Sequence, residues 1–280
     1  MIRLPLLAAV LITSASAVPL PPGGAAPAAR PTRIVSLNLC ADQLLVELTD
    51  RAQIAALNSN ARDPWMSAVA NRATGYRLIR GSAEEVLALD PDLIVGAPAF
   101  RSDLLRSLGG KAYPAIELPP ANSYAEIRAQ VASVAAASGQ PARGARLLAD
   151  MDAALAGLPR TGHGRIAAYY QRRGFVTGTG TLVDELMTRV GLINLAARLG
   201  KPALSRLSVE EMVAAQPDIL IVETDSATVT DQGAEMLQHP ALRHIPRVTL
   251  PQPWTLCGGP AYVLAARSLS AQLARLPVRR

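Results

Sequence analysis

Cys40 and Cys257 are the only two cysteines of the chain, and three chemistries are open to them. They can close a disulfide if their Cα atoms come within about 7 Å in an oxidising compartment. They can touch a soft metal, although two sulfurs alone make an incomplete site, or stay as separate thiols. Arg62, Arg172 and Arg173 sit just beyond strand-like runs, where a planar fork of N–H donors clamps a carboxylate or an anionic chelate. A surface ion pair is the plainer use of each. Trp65 and Trp254, the only tryptophans, fall in loops of the same kind, and an indole there offers a flat apolar wall to a macrocycle or packs beneath the loop. His163, His239 and His244 are too few and too dispersed to surround a metal, so neither a bound metal nor a resident cofactor is expected.

The signatures of enzyme chemistry are missing. There is no G-x-S-x-G, no Walker lysine motif and no His-Glu helix pair, and neither cysteine has a histidine nearby in sequence. Gly178-Thr179-Gly180 lacks the third glycine of a phosphate loop and reads as a turn before a helix at Thr181. The chain is therefore expected to bind rather than to catalyse, with an exported thiol-dependent α/β enzyme as the lesser alternative. The net charge of +6 comes from scattered arginines without interleaved aromatics, which argues against nucleic acid.

The elements that position these residues begin after a leader. Arg3, the apolar run Leu4 to Ile12 and Ala15-Ser16-Ala17 have the layout of a secretory signal peptide over residues 1–17. That run is shorter than the roughly 20 apolar residues of a membrane span, and Cys40 lies too far on to anchor a lipid at a new N-terminus. A periplasmic protein without membrane insertion is expected. Residues 18–31, rich in Pro, Gly and Ala, read as a flexible leader. The remaining chain, about 250 residues, suggests two domains or one bilobal body.

From Arg33 onward strand and helix patterns alternate: RIVSL, ADQLLVEL, QIAAL, AEEVLAL, DLIVG, RSDLLRSL and AYPAIEL. This predicts an α/β fold with a mostly parallel sheet. Two helices in succession, SYAEIRAQVASVAAASG and ARGARLLADMDAALAGL, interrupt the alternation. It then resumes with RIAAYY, TLVDELMTRV, VEEMVAAQ, DILIVE, RVTL and a closing helix AYVLAARSLSAQLARL. A repeat links the two halves, SAEEVLALDPDLIV at 82–95 and SVEEMVAAQPDILI at 208–221. Each copy is a helix stopped by Pro-Asp and feeding a buried strand, the pattern of two related lobes. In parallel sheets ligands sit beyond the carboxyl ends of the strands. That places Asn38 to Cys40, Asn58 to Trp65, Pro98 to Arg101, Gln171 to Arg173, Thr224 to Ser226 and Trp254 to Gly259 around a cleft. The candidate ligand-binding residues are Asn38, Cys40, Arg62, Trp65, Gln171, Arg172, Trp254 and Cys257.

RIVSLNLCADQLLVEL, the two Pro-Asp repeats, GTGTLVDELMTRVGLINLA and HPALRHIPRVTLPQPWTLCGGP, in this order, resemble the helical-backbone class of periplasmic solute-binding proteins of ABC importers. The resemblance implies two Rossmann-like lobes joined by one long helix: an N-terminal lobe at 32–140, the helix at 141–158 and a C-terminal lobe at 159–280. It implies a monomer that captures a metal chelate, a corrinoid or ferric siderophore, with haem as the alternative; Tyr76, Tyr113, Tyr169 and Tyr170 would be the candidate axial ligands. It further implies docking on the permease's transmembrane subunits through Glu84 and Glu210. An acidic residue in a first helical turn is also explained by capping alone. One departure stands out: Asn38 is not followed by Pro, and Asp42-Gln43 replaces the class's usual Thr-Glu, which points to a different ligand.

Overall fold

Short aliphatic runs become strands whose alternate residues bury on opposite faces, so each sheet must be covered twice. The computed structural model describes residues 30–96, 113–224 and 231–277. The expected signal peptide, most of the leader, the RSDLLRSL helix, Pro98 to Arg101, Asp225 and Ser226 lie outside them. In the first lobe β1 (Ile34–Ser36), β2 (Ile54–Asn58), β3 (Leu78–Ile79), β4 (Leu93–Val95) and β5 (Ala115–Ile116) form a parallel sheet ordered β3-β2-β1-β4-β5. Helix α1 (Leu39–Leu48) covers one face, where Ile34, Leu57 and Val95 bury. Val86 of α2 (Ala83–Leu89) lies on the other face with Val35, Ile79 and Ile94.

Helices α3 (Tyr124–Ala137) and α4 (Pro141–Ala156) pack on each other. The start of α4 is tied to the first lobe, where Arg143 donates to Leu48 O at 3.2 Å and to Asp50 at 2.6 Å. The other end leads into the second lobe. There β6 (Ile166–Tyr169), β8 (Ile193–Asn194), β10 (Ile219–Glu223) and β11 (Arg247–Leu250) form a second parallel sheet, ordered β11-β10-β6-β8. Phe175–Thr177 (β7) and Leu204–Arg206 (β9) make a separate two-stranded antiparallel sheet. The helices of this lobe are α5 (Leu182–Arg189), α6 (Leu195–Arg198), α7 (Val209–Ala215), α8 (Gln232–Glu235), α9 (Pro253–Leu256) and α10 (Ala261–Arg275).

The sequence repeat is a structural repeat. In both copies a serine, Ser82 or Ser208, caps the helix in a capping box completed by the third residue, Glu85 or Glu211. Asp90 and Gln216 then turn left-handed at φ 43° and 49°, because the following proline cannot continue the helix. The Asp after each proline ties the neighbouring strand: Asp92 accepts from Thr32 N and Arg33 N at 2.6 and 2.8 Å, and Asp218 accepts from Ile166 N at 2.8 Å.

Two boundaries differ from expectation. Arg30 and Pro31, read as leader, are held on the first lobe, Arg30 by Asp50 and Gln53 at 2.5 and 2.6 Å and Pro31 O by the Gln53 amide at 2.7 Å. The segment before α10, read as part of the second lobe, crosses back: Gly258 lies so close to α3 that an added Cβ would be 2.5 Å from Ala121 Cβ and 2.8 Å from Ile127 Cγ1. One hydrophobic cluster consequently runs from Leu44 and Val131 through Met151 to Tyr169, Leu186 and Leu269. The lobes share a core, and the interval between them is a cleft over packed helices.

Candidate functional site: the cleft between the lobes

The first wall of the cleft is built at the junction of β1 and α1. Asn38 caps α1, accepting from Ala41 N at 2.8 Å, and its amide donates to Gly96 O at 2.7 Å beyond β4. Gly96 stands at φ +84°, where an added Cβ would meet Asn38 Nδ2 at 2.7 Å, so this close approach requires glycine. Cys40, in the first turn of α1, is bonded to Cys257 with a Cα–Cα distance of 5.3 Å. Of the three chemistries open to these cysteines, the structure has the disulfide, and it ties α1 to the crossing segment from the second lobe.

The cavity has a volume of about 550 Å³ and takes walls from both lobes. Leu39, Met66, Leu118 to Ala121, Leu182, Val183 and Leu256 make most of it apolar, while Asn38, Asn122 and Gln130 add carboxamides and Thr181 a hydroxyl. On the second lobe a polar cluster stands at the carboxyl ends of β6 and β10. Glu223 Oε1 accepts from Gln171 Nε2 at 2.9 Å and from the Tyr169 hydroxyl at 3.3 Å. Tyr169 also lies 3.2 Å from Thr255 Oγ1, and Thr177 donates to Gln171 Oε1 at 3.3 Å. Burial, and then the Glu223 charge, push the Tyr169 hydroxyl above its ordinary pKa, so it stays protonated near neutrality. A side chamber of about 350 Å³ opens past Gln171, Glu223 and Gln252 towards Arg172, Arg173, Phe175 and Leu204.

Asn38, Cys40, Gln171 and Cys257 thus line the main cavity, and Arg172 lines the side chamber, where its guanidinium is paired with Asp231. The other three candidates stand elsewhere. Arg62 donates to the carbonyls of Ala73 (3.2 Å) and Tyr76, bracing its own loop. Trp65 is 60 % exposed at the margin, and its neighbour Met66 is the one that lines the cavity. Trp254 packs against the core, as a bulky apolar side chain under a loop does where burial is available. Among the tyrosines only Tyr169 lines the cavity: Tyr113 is buried in the first lobe, Tyr170 donates to Leu207 O at 3.0 Å, and Tyr76 lies under the Arg51 guanidinium.

Sequence reasoning missed Glu223, Thr177, Gln252 and the 118–122 segment, and it placed Thr255 in a cleft loop without naming it as a site residue. Glu223 did carry a signal, as the charged last residue of the otherwise aliphatic strand run ILIVE.

Glu84 and Glu210 are exposed on the first turns of α2 and α7. Their own amides, and then the Ser82 and Ser208 hydroxyls, hold both carboxyls below the usual range, so both are charged at neutral pH. The reciprocal capping bonds to Ser82 N and Ser208 N belong to Glu85 and Glu211, at 3.0 and 2.8 Å.

No helix among the described residues is long and apolar enough to cross a membrane. A search of curated proteins finds no match to the chain. Its fold is similar to that of the periplasmic heme-binding protein RhuT from Roseiflexus sp. RS-1, with a TM-score of 0.69, 27 % identity and coverage of 86 % of this chain and 97 % of that one. It is also similar to the periplasmic vitamin B12 binding protein BtuF of Vibrio cholerae, with a TM-score of 0.64, 18 % identity and coverage of 87 % and 96 %. An ABC-type Fe3+-hydroxamate transport system protein from Saccharomonospora viridis DSM 43017 aligns with a TM-score of 0.64, 16 % identity and coverage of 88 % and 94 %. Residues 34–249 match the periplasmic binding protein family, and with a match over most of its length and a ligand-sized cleft between two α/β lobes, the chain belongs to that family of solute-binding proteins.

Proposed function

We propose that this protein captures a metal chelate, a corrinoid or a ferric siderophore, in the cleft and delivers it to the transmembrane subunits of an ABC importer, acting as an exported monomer without a cofactor of its own. The observation that carries this reading is the cavity of about 550 Å³, apolar over most of its wall and walled by both lobes. That size and lining suit a ligand with a broad apolar body and a polar periphery. Docking through Glu84 and Glu210 is supported by their matched places on the two repeats and by the division of labour beside each capping serine. Haem is the second reading, supported by the Tyr169 hydroxyl on the cavity wall and by the likeness to the Roseiflexus heme-binding protein. Thermal unfolding of the protein with cyanocobalamin, ferrichrome, ferrioxamine B and haemin tests both. A ligand at a hundred times its Kd adds about 2.7 kcal/mol, a rise of roughly 5–10 °C for a chain of this size. No rise with any of the four would remove the chelate reading.

A further inference from the structure

Among the described residues Glu223 is the only acidic side chain lining the main cavity, and no Arg, Lys or His lines it. It is 6 % exposed, at the end of β10 where the two chambers meet. Among the described residues both bonds it accepts reach the same oxygen, Oε1, and both come from uncharged donors, Tyr169 and Gln171. No ion pair to it exists among the described residues. In the side chamber, which Glu223 also lines, Arg172 is paired with Asp231, and Arg173 is the remaining cation. A carboxylate held out of water without a matching positive charge is costly, and the cost is recovered when a bound ligand brings N–H donors or a cation to it.

From this we infer that Glu223 is the specificity-determining residue of the cleft, and that it selects chelates whose enclosed part is neutral or cationic and carries amide or amine N–H groups. Tyr169, Gln171 and Thr255 position its carboxylate. An enclosed carboxylate or catecholate would face Glu223 across an apolar cavity with no base among the described residues to balance it, and like charges in such a setting repel strongly. The inference rests on the chelate-binding reading above and narrows it, placing amide-rich corrinoids and amine-bearing hydroxamates ahead of haem with its two propionates.

Matched ligand pairs test it by titration calorimetry on the full chain: cyanocobalamin against its monocarboxylate, ferrioxamine B against its N-succinylated form, in which a carboxylate replaces the amine, and haemin dimethyl ester against haemin. In the scaffold that binds, the first member should bind at least about tenfold more tightly than the second, the scale of one charge contrast in a buried site. Glu223→Gln, which keeps the shape and the accepting oxygen, should shrink that gap to about threefold or less. Equal affinities within the pair, or tighter binding of the more anionic member, would overturn the inference while leaving the chelate reading intact. The same holds for a gap that survives in a folded Glu223→Gln. The wild-type comparison needs no variant, so a poorly folding Glu223→Gln does not blunt the test. Absence of binding by all three scaffolds would instead overturn the underlying reading, and the inference with it.

Discussion

Opening the Cys40–Cys257 bridge should cost the protein a large part of its stability. The two cysteines are 217 residues apart, and the bond closes a loop that contains most of both lobes. Loop-closure entropy for that length comes to about 5 kcal/mol at 25 °C, which is a ceiling because reduced unfolded chains keep some structure. At roughly 2–4 °C per kcal/mol for a chain of this size, a realistic loss of about 2–4 kcal/mol lowers Tm by about 4–16 °C. The native fold should survive, since α3, α4 and the crossing segment before α10 already pack the lobes into one core. The assay is thermal unfolding followed by far-ultraviolet circular dichroism, on the oxidised protein, the reduced protein and the Cys40→Ala/Cys257→Ala variant. Thiol titration in denaturant on the same samples should find no free thiol before reduction and two after it. If the reduced protein, with both thiols counted, melted within about 1 °C of the oxidised one, the assignment of this bridge as a constraint on the unfolded chain would be refuted.

Asp42 is buried beneath β1 and β2; Asn58 N donates to its Oδ1 at 2.9 Å, while its Oδ2 has no partner. Burial pushes the Asp42 pKa from 3.8 to about 7, outweighing the opposing pull of the Ser36 hydroxyl and then of Asn58 N. With the folded value raised, the folded state keeps a proton that the unfolded state releases, so stability is full below about pH 4 and falls as pH rises towards 7. Asp42→Asn should flatten that limb of Tm against pH, by an amount on the order of 4 kcal/mol at most; parallel curves for the two proteins between pH 4 and 8 would count against it. Charge reversal at Glu84 and Glu210 together should abolish uptake in cells while leaving ligand affinity in solution unchanged, and unchanged uptake would remove the docking assignment.

Alternation of aliphatic runs with helical spacing was enough to determine two parallel α/β lobes, since a parallel strand must cross over through a helix. The Pro-Asp repeats marked the same joint in each lobe because proline stops a helix wherever it stands, whatever lies around it. Two-residue strands such as β3 and β8 left no periodic trace to read, and the β7–β9 sheet pairs segments separated by α5 and α6. The sequence placed Asn38, Cys40, Gln171 and Cys257 at strand ends, and they line the cleft because in a parallel sheet all such ends lie on one side. The roles of Arg62 and Trp254 were decided by long-range neighbours: two free carbonyls took the guanidinium, and a shared core had room for the indole. The pairing of the cysteines was decided the same way, by a C-terminal segment that returns to the first lobe, a path that no local pattern encodes. Glu223 shows the limit most directly: its position at a strand end is written in the sequence, but that no Arg, Lys or His among the described residues shares the main cavity with it is a property of that cavity, which exists only once both lobes are in place.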